Sequence, residues 1–348
     1  VVTTDVLGWL LALASSLMYG IGTLISGSPF LALVRDAAPP EKQGLAISTV
    51  ETVLIIFFAI AGIGFSVWMD VYSAPIFWEM VITTMAVGGF FWFFAIAGAE
   101  KRQKKGDVTE TAVSTPHQQP AFKAIISKIW QDPRTRRFFF FLALATMAAW
   151  AQDAILEPFG ADVFNLPISR TTRFNSYWQA ATVVTLVGGS YFWRKRPPER
   201  QAAIAKWGLG FMALGLIVLG VAAFAGQVHF LELALLIFGA GFGVYTFGGL
   251  SLMAVMASDT EAGAYLGLWS IAILVSKGLG TFLGGATRDL LFLVLDLPAG
   301  LSYALIFGLE ALGLLGAILI LSRIDVVGFA RDVGRVVSRA EAQIALAD

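Results

Sequence analysis

Cysteine is absent from the 348 residues, and histidine occurs twice, as His117 and His229. The first absence excludes disulfides, Cys-ligated zinc, iron–sulfur clusters and thiol catalysis. The second leaves too few ligands for a His-rich metal centre. Charge is scarce as well: 14% of the residues are Asp, Glu, Lys or Arg, against roughly 25% in a soluble domain. There is no P-loop and no dinucleotide-binding fingerprint, because Gly239, Gly241 and Gly243 fall inside an apolar run. Nothing points to hydrolase, kinase, redox or nucleic-acid chemistry, and the chain is not expected to be an enzyme.

What is abundant is apolar. Hydrophobic residues make up 57% of the chain and the mean hydropathy is +0.76. They come in long runs, and about 20 apolar residues at ~1.5 Å each cross a ~30 Å hydrocarbon core. The alternating ~10-residue segments of a transmembrane β-barrel are missing. The expected fold is therefore an all-α integral membrane protein of about nine spans: roughly Asp5–Val34, Leu45–Met69, Ala74–Ala97, Arg137–Ala154, Asn175–Trp193, Trp207–Gly226, Phe230–Ala257, Ala262–Gly285 and Leu301–Leu321. Trp9, Trp68, Trp78, Trp193 and Trp207 fall near the ends of these spans, at the depth of an aromatic belt.

The basic residues are one-sided. Twenty of the 24 Lys and Arg lie in Arg35–Lys42, Lys101–Arg137, Arg194–Lys206 and the tail from Arg323. The positive-inside rule puts those segments and the C-terminus in the cytoplasm of a multi-pass bacterial inner-membrane protein. Two of these segments have amphipathic patterns suited to a lipid surface. In one, Phe122, Ile125, Ile126, Ile129 and Trp130 share a face; in the other, Arg331, Arg335 and Arg339 line up, with Val326, Phe329, Val333 and Val337 elsewhere on the helix. A solvated connector is the alternative for both. Lys104–Gln119 is polar and turn-rich and reads as a flexible linker.

A shift of 223 residues aligns Gly20 with Gly243, Thr23 with Thr246, Ser28 with Ser251, Asp36 with Asp259 and Gly44 with Gly267. Two parallel halves of six spans are the mark of a major facilitator bundle. Three spans precede the linker and six follow it. The expectation is that these are spans four to twelve of twelve, with the first three missing. The domains expected are residues 1–99, the second part of the N-terminal half; 100–135, a cytoplasmic linker with its amphipathic helix; 136–323, the C-terminal half; and 324–348, a cytoplasmic amphipathic tail.

Ionisable groups at membrane depth are costly and mark candidate sites. Glu51, Lys277 and Glu310 are the three. Lys277 and Glu310 differ in depth by only ~6 Å at helical rise, so they can pair, either structurally or in proton coupling or substrate binding. Asp153 and Glu157, four residues apart, are expected on one helical face, with Pro158 and Gly160 ending the helix and Arg170 and Arg173 near enough to neutralise them.

The stretch Gln152-Asp153-Ala154-Ile155-Leu156-Glu157-Pro158-Phe159-Gly160 resembles the Q-D-x-x-L-E-P-[YF]-G signature of the PucC-type, or bacteriochlorophyll delivery, branch of the major facilitator superfamily. Pro29–Leu33, Asp36, Pro40–Gly44, Gly263–Trp269 and Gly278–Gly285 support the likeness, which covers essentially the whole chain. The loop Arg194–Arg200 is basic and departs from the superfamily's usual Asp and Gly pattern.

The resemblance implies an assembly factor for light-harvesting complexes in a photosynthetic membrane. Its implied partners are antenna polypeptides, the reaction centre, lipid and bacteriochlorophyll, the last held transiently. Gln152, Asp153, Glu157, Pro158 and Gly160 are then the candidate pigment or partner contacts. No His lies within a span; His229, at a span edge, is a possible pigment ligand, as are Gln152, Glu157 or a water, and a plain loop histidine is the alternative reading of His229. The other readings of the whole chain are a secondary transporter of a small solute and a structural subunit of a photosynthetic complex.

Overall fold

The computed structural model describes residues 8, 10, 11, 13–22, 43–69, 71, 73–97, 127, 129–193, 198–257 and 262–332. It divides into two compact units, Val1–Phe57 and Phe58–Asp348. The first holds the helical stretch Leu13–Gly22 and the start of α1 (Gln43–Trp68). The second holds the rest of α1, then α2 (Ala74–Ile96), α3 (Pro133–Ala151), a 3₁₀ turn (Gln152–Ala154), α4 (Leu156–Phe164), α5 (Ile168–Thr171) and α6 (Arg173–Trp193). It continues with α7 (Pro198–Ala225), α8 (His229–Val255), α9 (Ala262–Asp289), a π turn (Leu290–Val294), α10 (Ala299–Ser322) and α11 (Val326–Asp332).

Helix is what a lipid core demands, because each backbone N–H and C=O must find its partner within the segment. Among the described residues, five helices are long and apolar enough to span, and the bent pair α3–α4 makes a sixth. At 21 residues α6 is long enough but less apolar, since Asn175, Ser176, Gln179, Thr182 and Thr185 interrupt it. Its hydroxyls turn inward: Thr182 Oγ1 donates to Gly239 O at 2.9 Å and Thr185 Oγ1 to Ala240 O at 3.0 Å. Each predicted span from residue 45 onward has its helix. The linker Lys104–Gln119, Phe122 to Ile126, and Arg335 and Arg339 lie outside the described residues.

In the second unit the contacts run α6 to α8, α8 to α7, α7 to α10, α10 to α3 and α3 to α9. Lipid supplies no hydrophobic drive between helices, so close packing has to hold them. Glycine makes the closest approaches: a Cβ at Gly239 would land on the Trp178 carbonyl, and one at Gly280 on that of Met147. Large apolar side chains fill the interior, including Phe138, Phe141, Phe238, Phe307 and Trp269, all buried.

The start of the tail, as far as Asp332, is docked on the bundle. In α11 the apolar residues Val326, Phe329 and Ala330 are buried against protein, with the Phe329 ring beside Tyr265. A charged staple at the start of α3 explains the docking. Pro133 opens the helix and Asp132 caps it, accepting from Arg134 N at 2.7 Å. The Arg134 guanidinium then reaches Asp332 at 2.7 Å and lies over the Phe329 ring.

Burial pulls the Asp132 carboxyl upward, but hydrogen bonds and charge from Arg134 outweigh it and hold the group below its ordinary value. Its stabilising contribution is therefore present above the usual carboxylate range and lost as pH falls through the lowered value. Asp132→Ala is expected to cost about 1–2 kcal/mol, chiefly as a lost helix cap. Thermal unfolding in detergent from pH 7 downward checks this: the wild-type advantage should shrink on acidification.

Candidate functional site

The distinctive local feature is the break between α3 and α4. The two helices bend by 46° across the 3₁₀ turn Gln152–Ala154. Pro158 supplies the reason: it has no N–H for the Ala154 carbonyl, and its ring excludes that carbonyl from a continuous helix. In the first turn of a new helix the same proline is tolerated. The expectation that Pro158 and Gly160 end the helix is thus reversed. The helix restarts before them and runs to Asn165, which closes it in the left-handed conformation at φ 53°.

The break positions the acidic pair. Glu157 accepts from Asn175 Nδ2 at 3.0 Å, and Asn175 Oδ1 accepts from Trp178 Nε1 at 3.1 Å. This relay ties the signature stretch to α6. Gly160 is buried where a Cβ would meet Phe174 and Thr171, so it allows the chain to fold back there. Asp153 is exposed on the bundle and within electrostatic reach of Glu157 and Lys277. Arg170 and Arg173 do not neutralise this pair: Arg170 meets Glu232 at 3.4 Å and Arg173 donates to Ser66 at 3.1 Å. Both arginines follow α4's closing turn and point to other helices.

The other wall is α9. Lys277 Nζ lies 3.5 Å from the centre of the Trp150 ring, a cation–π contact. Trp150 in turn packs edge-on against Trp178 and Phe242. Thr281 Oγ1 donates to Trp150 O at 3.3 Å, and a Cβ at Gly284 would land on the Ala151 carbonyl. The site therefore joins a cation, two carboxylates, an amide and an aromatic cluster drawn from α3, α4, α6, α8 and α9.

Lys277 and Glu310 do not pair. Matching depth was the ground for pairing them, but direction around the helix decides contact, and Lys277 turns to Trp150. Glu310 is 5% exposed on α10, and neither carboxylate oxygen has a hydrogen-bond partner. On the same helix Gly313 faces Ala148 and Phe307 packs on Phe159, which places Glu310 level with the break. Gln152 at the break is also buried, with its Nε2 unpartnered. Glu51 lies in α1, with its side chain outside the described residues. His229 is exposed at the first position of α8.

Some participants were missed in the sequence. Trp150 adjoins the signature and Asn175 opens a span, yet neither carries a charge at depth. Near the end of α4, Asp162 pairs with Arg288 at 2.6 Å, and the Tyr303 hydroxyl accepts from Arg288 and donates to Asp162, both at 2.7 Å. Three residues so far apart in the chain leave no local spacing to detect.

Long apolar helices packed in one unit, one of them broken, with charged groups at depth, define a major facilitator-type membrane bundle. Solved structures agree on the fold. A bacterial homologue of the human lysosomal transporter Spinster, inward-facing and unoccupied, matches with TM-score 0.56 and 13% identity over 88% of this chain and 74% of that one. The occupied form gives the same score over 89% and 73%.

The chain belongs to the PUCC protein family, whose model matches residues 2–329. "Protein PucC" of Rhodovulum sulfidophilum is 28% identical over 292 residues, covering 81% of this chain and 61% of that protein. "Protein PucC" of Cereibacter sphaeroides is 28% identical, covering 85% and 63%. The "Bacteriochlorophyll synthase 44.5 kDa chain" of Rhodobacter capsulatus is 24% identical, covering 87% and 69%. The chain thus spans a little under two thirds of the length of the two PucC proteins.

The close approach of α9 to α3 is testable. Gly284→Leu is expected to lower the unfolding midpoint, at a cost of about 1–3 kcal/mol or more. Gly285→Ala, where the nearest atom is at 4.0 Å, should leave it unchanged. Replacing the unpartnered Glu310 by Leu should leave the midpoint unchanged or raise it, because an enclosed unsatisfied polar group costs stability. Unfolding followed by tryptophan fluorescence in one detergent checks all three variants.

Proposed function

We propose that the chain serves as an assembly factor for bacterial light-harvesting complexes, handling bacteriochlorophyll transiently on the way to antenna polypeptides. The observation that carries the reading is the construction of the signature stretch as a broken span. Its Glu157 is held by Asn175, while its Asp153 stays exposed within electrostatic reach of Lys277, which lies on the ring of Trp150 in a cluster with Trp178 and Phe242. The family membership and the names of its relatives support the same reading.

A chlorin needs an apolar aromatic contact and one axial oxygen or nitrogen ligand for its magnesium. The residues present fit that need sparsely. Gln152 is enclosed and Glu157 is engaged by Asn175, which leaves Asp153 and His229 as accessible donors. Bound pigment would supply the light-absorbing macrocycle; the chain's own part is to offer a ligand and an apolar surface and to release both. Few ligands suit hand-over better than permanent antenna duty. The role is non-catalytic, in the inner or intracytoplasmic photosynthetic membrane, with the C-terminus cytoplasmic. The partners are antenna chains, lipid and, by the same reading, the reaction centre.

One observation favours a second reading. Lys277, Asp153 and Glu157 cluster at membrane depth in a fold shared with transporters, as a proton-coupled solute carrier requires. Mild-detergent purification separates the two. Co-purifying antenna polypeptides and a bacteriochlorophyll absorption band support assembly. A pigment-free, partner-free protein that takes up solute under a proton gradient in vesicles overturns it. Glu157→Ala is expected to lower antenna levels several-fold in cell absorption spectra, with the variant still inserted by immunoblot of membranes. Normal antenna would remove the signature stretch from the mechanism.

A further inference from the structure

The second unit carries a groove well away from the break. It has a volume of about 360 Å³ and lies between the end of α6, the start of α7 and the side of α8, lined by Trp193, Arg200, Ile204, Trp207, Phe211 and Val244. Its walls are apolar except for one guanidinium. Arg200 and Trp207 are both exposed, and Trp207 stacks obliquely on Phe211, with ring centres 6.4 Å apart. Trp193 is braced from behind: its ring packs on Phe247, and its carbonyl accepts from Gln201 Nε2 at 3.3 Å. The groove is therefore built on two long helices rather than on a loop.

Its level in the membrane follows from connectivity. It lies at the junction of α6 and α7, whose intervening sequence contains Arg194, Lys195 and Arg196. The same end of the unit carries Arg134, Arg137 and Arg323, joined where Arg137 donates to the Arg323 carbonyl at 3.2 Å. A single cation at the mouth of an apolar slot, flanked by two tryptophans at headgroup level, has the chemistry of a lipid seat. Basic pockets between transmembrane helices select anionic headgroups.

We propose that this groove binds one anionic phospholipid, with the phosphate on Arg200 and an acyl chain along Ile204, Trp207, Phe211 and Val244. Charge settles the choice of occupant. A zwitterionic headgroup brings no net charge to the lone guanidinium of Arg200, whereas phosphatidylglycerol neutralises it. A neutral transmembrane helix would gain nothing from Arg200. The seat would fix α6 to α7 at the membrane surface.

Vesicles containing acyl-brominated phosphatidylglycerol or phosphatidylcholine test this through quenching of tryptophan fluorescence. Subtracting the Trp193→Phe, Trp207→Phe double variant from the wild type isolates the groove's own emission. That component should be quenched at about fivefold lower mole fraction of the anionic lipid, the effect expected of one arginine at such a surface. In Arg200→Gln the preference should vanish, with circular dichroism and unfolding unchanged, since Arg200 and Trp207 are exposed. Equal quenching by the two lipids, or a preference that survives Arg200→Gln, overturns the proposal. A groove filled by pigment or by another helix gives the first of those outcomes. Neither result depends on whether the protein assembles antenna.

Discussion

The missing N–H of Pro158 is the constraint on which the site depends. A span that meets a proline one turn after a 3₁₀ segment cannot stay straight, and here the chain bends by 46°. That bend aims Glu157 at Asn175 while leaving Asp153 near Lys277. Without it, α3 would carry both carboxylates along one face, and neither α6 nor α9 would be engaged in this way. Non-helical backbone at membrane depth needs protein around it. The surrounding helices provide that protein: α9 approaches through Gly280 and Gly284, and α10 closes the level of the break with Glu310.

Much of the fold was legible because lipid imposes a simple rule. Long apolar runs had to be helices, and the helices from residue 45 onward fall on the predicted segments within a few residues. The exceptions are instructive. α7 begins at Pro198 rather than near Trp207, because Pro198 is a natural first helical residue and the polar turn that follows can project beyond the lipid. α4 escaped prediction because Pro158 and Gly160 are stop signals in isolation, and only the preceding 3₁₀ turn turns them into a restart.

The site was half legible. Charge at depth singles out Glu51, Lys277 and Glu310 from sequence alone, and helical spacing pairs Asp153 with Glu157. Which of them meet is a matter of helix rotation, which span boundaries do not encode. Lys277 turned out to face an indole, a partner that a search for carboxylates passes over. Asn175 was invisible for a similar reason: an amide at a span's start looks like an ordinary boundary residue until the bent α4 brings Glu157 to it.

The polarity of α6 has a consequence for biogenesis. A segment with so many side-chain amides and hydroxyls partitions poorly into lipid by itself. Its Thr182 and Thr185 have acceptors within α6, the carbonyls of Trp178 at 2.8 Å and Ala181 at 3.0 Å, besides those of Gly239 and Ala240, which are synthesised more than fifty residues later. The new helix can thus satisfy these hydroxyls by itself, and α8 adds a second acceptor to each when it packs alongside. A ribosome stalled before α8 would leave α6 hydrogen-bonded within itself but without the helix it packs against.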